Sequence, residues 1–295
     1  CITLKPILFT NILLLRNKKI KIINAISGLG FLFTNKRNSF IKFLIKRTFS
    51  LIIKFKEGFF IFQNETDLEE FKALGLKNSY KIIKGSGVDS NTFEFSKPIK
   101  TNKVVIVYTS RILKDKGILD LIKAFNSLDK KSKENAVLKI YGKIDTNNPS
   151  FIDEDDFKKL LISDKIEWKG FTGRIDNVLK QSDIYCLPSY REGLPKSTVE
   201  AMAIGRPILT TNAPGCNDTV IEGYNGYKVP VNSPLELSKK LKDLISNRKL
   251  RLNMGKKSRE LFEKEFTLEK IINQTIDVYK NILKVKDLDN NKFKL

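Results

Sequence analysis

Five short runs rich in β-branched and aromatic residues, Val104 to Tyr108, Val137 to Tyr141, Ile166 to Trp168, Ile184 to Leu187 and Ile208 to Thr210, recur along the middle of the chain. Between them lie stretches near 117–128, 153–162, 175–181 and 195–204 with helical spacing of apolar residues. Apolar runs this short, each followed by one helix's length of chain, are strands buried on both faces and joined by right-handed crossovers. The segment is thereby restricted to an open α/β layer with a parallel sheet. Three further helices are predicted near 234–247, 249–264 and 267–283, ahead of a polar tail at 284–295.

The earlier part of the chain reads as a second, smaller layer of the same kind. Residues 20–26, 58–62 and 80–84 are predicted strands, and Asp67 to Leu74 is a predicted helix. From Phe40 to Phe55, apolar residues at 40, 43, 44, 51, 52 and 55 alternate with lysines and Arg47, which predicts a basic amphipathic helix. Residues 90–102, polar and poor in apolar side chains, read as a linker. The expected division is a first domain at 1–95 and a second at 96–270, with no internal repeat.

Composition removes several chemistries. The 295 residues contain no histidine and three cysteines, Cys1, Cys186 and Cys216, at unpatterned spacing. A zinc site is not expected, and a Ser-His or Cys-His nucleophile is excluded. Cysteine usage of this kind fits a reducing cytoplasm. The net charge of +21 is concentrated early, since residues 1–60 hold twelve Lys or Arg against the single acid Glu57. Such a segment is either a solvated surface, a patch for an anionic membrane or a nucleic-acid contact. Phenylalanines on an apolar stripe and the lack of a nucleic-acid motif favour peripheral membrane contact, with no specific nucleic acid. No apolar run is long enough to cross a bilayer. Ile2 to Pro6 reads as the interior of a domain.

The chemistry concentrates after the run ending at Pro188, where Arg191-Glu-Gly-Leu-Pro-Lys-Ser-Thr-Val-Glu200-Ala-Met-Ala places two carboxylates eight residues apart around a helix start. Gly193 and Pro195 break the strand and open the helix. Its first N–H groups and dipole favour an anion such as a diphosphate, and Ser197 and Thr198 add hydroxyls. Carboxylates do not favour phosphate, so Glu192 in the loop and Glu200 about two turns into the helix are placed to accept from hydroxyls flanking it. Arg111 and Lys116 supply cations just after a buried strand and before Gly117.

The pattern E-G-L-P-x-S-x-x-E-A-M-A-x-G-x-P, beginning at Glu192, resembles the signature of retaining GT-B glycosyltransferases, in particular glycosyltransferase family 4. Thr109-Ser-Arg111-Ile-Leu-Lys-Asp-Lys116-Gly117 is similar to that family's phosphate clamp, and Asn225-Gly226-Tyr-Lys-Val-Pro230 to its late glycine turn. Order and spacing agree over roughly residues 80–283. The resemblance implies two Rossmann-like domains facing across a cleft, with 267–283 crossing back to the first. It implies catalytic roles for Glu192, Arg111 and Lys116, and donor binding by Glu200, Gly193, Leu194, Pro195, Ser197, Thr198, Gly170 and Phe171. Ser27, Gly28, Gly30, Gly85 and Gly87 are the expected acceptor or cleft positions. The donor would be a nucleotide diphosphate sugar and the acceptor a lipid-linked glycan of surface polysaccharide assembly at the inner face of the membrane, with no metal or other cofactor required. A first domain of this kind begins with its own strand and glycine loop, so the resemblance also implies roughly seventy to eighty residues ahead of Cys1.

Other readings are weaker. Asp153-Glu-Asp-Asp156 has the composition of a GT-A metal motif, yet these acids complement the start of the helix that follows them. A glycoside hydrolase needs its two carboxyl groups facing across the scissile bond, whereas here a phosphate clamp lies beside them. The rival of a different class is a non-catalytic nucleotide-sugar-binding module.

Overall fold

The computed structural model of the protein describes residues 1–14, 19–29, 39–55, 58–99 and 102–283. Gly30 and the tail at 284–295 lie outside the described residues. The chain divides into two units, Cys1–Gly87 with the C-terminal segment from Leu268, and Val88–Thr267.

In the first unit, β1 (Ile23–Ile26), β2 (Phe59–Phe62) and β3 (Tyr80–Ile82) pair in parallel in that order, with Ile23 beside Phe59 and Phe60 beside Tyr80. Strand side chains alternate between faces, and β2 shows the consequence. Phe60 and Phe62 join a core with Ile7 of α1 (Leu4–Leu13), Phe49 and Ile53 of α2 (Ser39–Phe55), and Leu68 and Phe71 of α3 (Glu65–Ala73). Phe71 meets Phe49 and Phe62 edge to face, at centroid distances of 5.5 Å and 5.2 Å. On the opposite face Ile61 packs with Ile83 and with Ile271 and Val278 of the C-terminal helix Leu268–Leu283. Asn64 caps α3 by accepting from the Asp67 N–H at 2.8 Å.

Helix α1 has no counterpart in the sequence reading. Its apolar residues surround the axis, so no helical period appears, and Pro6 suggests a break. A proline in the first turn removes only an N–H that has no intrahelical partner. Asn11 of α1 is buried and donates to the Ile7 carbonyl at 2.7 Å and to Asn24 Oδ1 of β1 at 2.9 Å, which fastens the helix to the sheet. In α2 the buried pair is Phe49 and Ile53, one turn apart, whereas Phe43, Leu44 and Leu51 of the expected apolar stripe are exposed. The described apolar side chains of α2 therefore occupy two faces rather than one.

The second unit is a six-stranded parallel sheet of β4 (Val104–Thr109), β5 (Ala136–Tyr141), β6 (Ile166–Trp168), β7 (Ile184–Leu187), β8 (Ile208–Thr211) and β9 (Gly226–Val229), in the spatial order β6-β5-β4-β7-β8-β9. Numbered within the unit this is 3-2-1-4-5-6, the doubly wound order of dinucleotide-binding folds. Its connections include α4 (Ile118–Asn126), α5 (Lys130–Glu134), α6 (Glu154–Lys159), α7 (Ile175–Lys180) and α8 (Lys196–Ile204), and α9 (Pro234–Ser246) and α10 (Arg248–Glu265) follow the sheet. The expected glycine turn at Asn225 to Pro230 contains β9, which extends the sheet by pairing Ile208 with Gly226. Gly226 and Lys228 interrupt the continuous apolar run that marks the other strands, which hides it in the sequence.

The division after Gly87 precedes the composition shift near residue 95 for a physical reason. The Val88 N–H donates to the Phe266 carbonyl and the Ser96 N–H to the Ile204 carbonyl, each at 3.1 Å. Arg206, fully buried, donates to the carbonyls of Ser96 at 2.7 Å, Leu179 at 2.9 Å and Lys180 at 3.1 Å. These bonds hold residues 88–96 to the second unit.

Candidate functional site

In a sheet of this order the chain runs in opposite directions from β4 and β7, and ligands of open α/β sheets sit at that switch, outside the carboxyl ends of the strands. Here β4 ends at Thr109 and leads through Ser110 and Arg111 to a 3-10 turn, Lys114–Lys116. β7 ends at Leu187 and leads through Pro188 to Pro195 into α8, whose first helical residue is Lys196. Pro195 is thus the residue preceding the helix, in extended conformation, and no side chain caps α8. The first N–H groups are left without a side-chain acceptor.

The two segments are fastened to each other. The Tyr190 N–H at 2.8 Å and Ser189 Oγ at 3.1 Å both donate to the Asp115 carbonyl, and Tyr190 donates its hydroxyl to Asp120 Oδ2 at 2.8 Å. Thr210 of β8 donates to the Leu187 carbonyl at 2.7 Å and Thr211 donates to that of Ser189. Gly117 has φ of +70°, and a Cβ there would lie 1.9 Å from the Pro188 carbonyl oxygen, so only glycine permits this approach. The result is a charge pair across the switch: Lys116 Nζ lies 2.6 Å from Glu192 Oε1, both side chains only 14% exposed. Arg111 is half exposed and bonds Asp145 Oδ2 at 2.7 Å.

Beside this pair is a cavity of about 470 Å³ lined by Thr109, Ser110, Arg111, Tyr141 to Asp145, Phe171, Thr172, Ile175, Ser197 and Glu200. Of the expected donor-site residues, Arg111, Phe171, Ser197 and Glu200 share it. Burial pushes the Glu200 carboxyl above its ordinary value, against a weaker opposite pull from Lys196, whose Nζ is 3.8 Å away. Gly170 precedes Phe171, and its carbonyl accepts from the Gly142 N–H at 2.7 Å. Lys116 and Glu192 face each other rather than lining the cavity, and Thr198 is fully buried with no hydrogen-bond partner for its hydroxyl. Leu194 packs against the core of the unit. Ser27 and Gly28 follow β1, and Gly85 and Gly87 follow β3, all in the first unit.

Tyr141, Gly142, Lys143 and Asp145 were not singled out in the sequence. A Cβ on Gly142 would lie 1.8 Å from the Ser110 carbonyl oxygen, so this glycine lets the loops after β4 and β5 meet and form one wall. A glycine directly after a strand is the signal that marked it.

An uncapped helix start, the ion-paired Arg111 and a partly buried carboxylate meet at one cavity beside the Lys116–Glu192 pair, and these are groups with which an anion carrying hydroxyls can interact. The family described as glycosyl transferases group 1 matches residues 89–261. The chain is 30% identical over 246 residues to N,N'-diacetylbacillosaminyl-diphospho-undecaprenol alpha-1,3-N-acetylgalactosaminyltransferase of Campylobacter jejuni, covering 78% of this chain and 63% of that protein. It is 30% identical over 199 residues to the capsular polysaccharide biosynthesis glycosyltransferase CapM of Staphylococcus aureus, covering 67% of this chain and 51% of that one. The chain thus spans between about half and just under two thirds of the length of these two relatives. Among solved structures, Anabaena HepE in complex with UDP superposes with a TM-score of 0.78 at 17% identity, over 94% of this chain and 76% of that one. Sucrose-phosphate synthase from Thermosynechococcus elongatus superposes with a TM-score of 0.79 at 17% identity, over 95% and 72%. At such identity the superpositions speak for the fold, an α/β architecture of parallel sheets shared with GT-B glycosyltransferases. By the match across 89–261 and the likeness to the Campylobacter relative, the chain belongs to the glycosyl transferases group 1 family.

Proposed function

We propose that the protein is a retaining glycosyltransferase of family 4 that moves a sugar from a nucleotide diphosphate donor to a lipid-linked glycan at the cytoplasmic face of a membrane. The observation that carries this reading is the convergence of Arg111, Ser197 and Glu200 on one cavity at the strand-order switch, with the Lys116–Glu192 pair beside it. Arg111 and Lys116 neutralise the diphosphate as it leaves, where negative charge develops. The backbone from Gly193 to Pro195 and the Ser197 hydroxyl cradle the phosphates. Glu192 accepts from hydroxyls of the transferred sugar and Glu200 from those of the ribose, while Gly170 and Phe171 border the base. Ser27, Gly28, Gly85 and Gly87 belong to the acceptor side. The acceptor hydroxyl attacks from the face the diphosphate leaves, and the departing oxygen takes its proton, so no protein nucleophile is required and the protein's task is orientation and electrostatics. The Campylobacter relative, whose name specifies a diphospho-undecaprenol acceptor, supports a lipid-linked acceptor, and the Staphylococcus relative, named for capsular polysaccharide biosynthesis, supports a place in surface polysaccharide assembly.

Titration calorimetry with nucleoside diphosphates tests the donor half. Glu200 accepts from ribose hydroxyls far more strongly as the carboxylate than as the neutral acid, and burial holds its carboxyl above the ordinary 4.5. Binding is therefore full above the raised value and declines as pH falls through it, giving an acid limb that lies above 4.5. Glu200→Gln should remove this limb and weaken binding at neutral pH by about tenfold, the worth of one charge-assisted hydrogen bond. Unchanged affinity and an unchanged limb in the variant would remove Glu200 from the donor site.

Membrane contact rests on the first unit. Phe9, Leu13, Phe43, Leu44 and Leu51 are exposed on α1 and α2, accompanied by exposed Lys5, Lys19 and Arg47. No helix among the described residues is long and apolar enough to span a bilayer. Apolar side chains among cations suit the interface of an anionic leaflet, where each basic residue contributes about 1 kcal/mol. The protein should sediment with phosphatidylglycerol vesicles at low salt and not with phosphatidylcholine vesicles. Replacing Phe43 and Leu44 together by serine should lower the bound fraction several-fold. Equal recovery with both lipids, or indifference to the double substitution, speaks against docking by this face.

A further inference from the structure

Tyr185 lies in β7, fully buried, where a phenylalanine would fill the same space. A phenol hydroxyl taken out of water without partners costs about 1–3 kcal/mol, so its contacts are the informative part. They all come from the two segments that end at the cavity: Ser197 Oγ at 2.7 Å in the first turn of α8, and Thr109 Oγ1 at 3.3 Å with the Thr109 carbonyl oxygen at 3.4 Å at the end of β4. Thr109 and Ser197 both line the cavity beside Arg111 and Glu200.

The distances favour one polarity for this cluster. The phenol has one proton, and the nearest acceptor by a wide margin is Ser197 Oγ. The Thr109 hydroxyl donates to the phenol oxygen. Ser197, accepting from Tyr185, keeps its own proton, and its side chain lines the cavity, where that proton can meet a ligand; each link in such a chain polarises the next. Burial also pushes the Tyr185 hydroxyl well above its ordinary value, so the phenol stays protonated across the working pH range.

We infer that Tyr185 is a positioning residue: the relay Thr109 to Tyr185 to Ser197 fixes the Ser197 hydroxyl as a preorganised donor to a phosphate oxygen of the nucleoside diphosphate. The inference rests on the donor-site reading given above and adds to it a buried residue that touches no ligand. A dipole held in place before the ligand arrives avoids reorganisation when charge develops.

The test is a double-mutant cycle read by calorimetry. UDP, ADP and GDP are each titrated into the protein, and the nucleoside of whichever binds serves as the phosphate-free reference. Ser197→Ala should weaken the diphosphate about tenfold and Tyr185→Phe about threefold to tenfold, the range of one neutral hydrogen bond, with nucleoside affinity unchanged. The two losses should not add: the double variant should match Ser197→Ala alone. A packing role for Tyr185 would instead lower the affinity for nucleoside and diphosphate alike, or add fully to the serine loss, and either result overturns the relay. If Tyr185→Phe proves too unstable, the pair Thr109→Val and Ser197→Ala carries the same cycle from the other end. Failure of the unsubstituted protein to bind any of the three diphosphates would count against the donor site itself, whereas binding with an additive cycle would count against the relay alone.

Discussion

Lys116→Ala is expected to lower sugar transfer by about a hundredfold to a thousandfold, the loss seen when one donor to a developing anion is removed. Two effects combine in it. The ammonium that would neutralise the departing diphosphate is gone, and Glu192, 14% exposed and paired at 2.6 Å in the intact protein, is left as an unpaired carboxylate beside the incoming phosphates. The second effect is separable. Converting Glu192 to glutamine in the Lys116→Ala background should recover part of the donor affinity, because the repulsive charge disappears, while the transfer rate stays low. A rate within threefold of the unsubstituted protein for Lys116→Ala would mean that this lysine does not face the leaving group. Thermal unfolding of each variant, followed by circular dichroism, keeps a folding defect from being mistaken for a chemical one.

Gly117→Ala should be the most destabilising single-methyl change in the second unit. The residue holds φ of +70°, a conformation that costs an L-residue roughly 1–2 kcal/mol, and its new Cβ would lie 1.9 Å from the Pro188 carbonyl oxygen and 2.6 Å from the carbonyl carbon. The obstacle is backbone and has no rotamer to change, so a further penalty of about 1–3 kcal/mol for forced displacement applies. Together they amount to about 2–5 kcal/mol, or a fall in melting temperature of roughly 5–15 °C for a domain of this size. Gly223 provides the control: it has φ of +74° but nothing within 4 Å of its would-be Cβ. Gly223→Ala should show the conformational part alone. Equal shifts for the two variants would mean that the approach of Gly117 to Pro188 carries no strain. Since Lys116 precedes Gly117 and Glu192 lies just beyond Pro188, the displacement should also open the ion pair and reduce donor affinity in the protein that remains folded.

Most of the second unit was legible in the sequence because strands such as β4 and β7 are covered on both faces and appear as apolar runs, whereas β9, broken by Gly226 and Lys228, read as a turn. The ends of β4, β5, β7 and β8 fall within one residue of their expected positions. Helix α1 was not legible, since a helix apolar on all sides has no period and its buried Asn11 looks like a surface residue. Within the site, the residue types and their order along the chain could be read, but their partners could not. Lys116 and Glu192 are 76 residues apart, Arg111 and Asp145 are 34 apart, and Tyr185 meets Thr109 across 76. Which of these meet depends on β7 lying next to β4 while β5 lies on the other side, and spacing alone leaves that order undetermined. Tyr185 was hidden for a further reason: in a buried strand an aromatic ring explains itself as packing, and only the positions of its neighbours give the hydroxyl a purpose.

The bond between Lys116 and Glu192 also bears on which anions the proposed donor site would accept. A small mineral anion approaching the lysine would have to separate two opposite charges that are mostly shielded from water, and it would leave the carboxylate with no replacement partner. A glycosylated diphosphate offers anionic oxygens to the one and hydroxyl protons to the other in the same encounter. Under the proposed reading, discrimination between the two kinds of anion therefore lies in this pair, beside the cavity that Arg111 and Glu200 line.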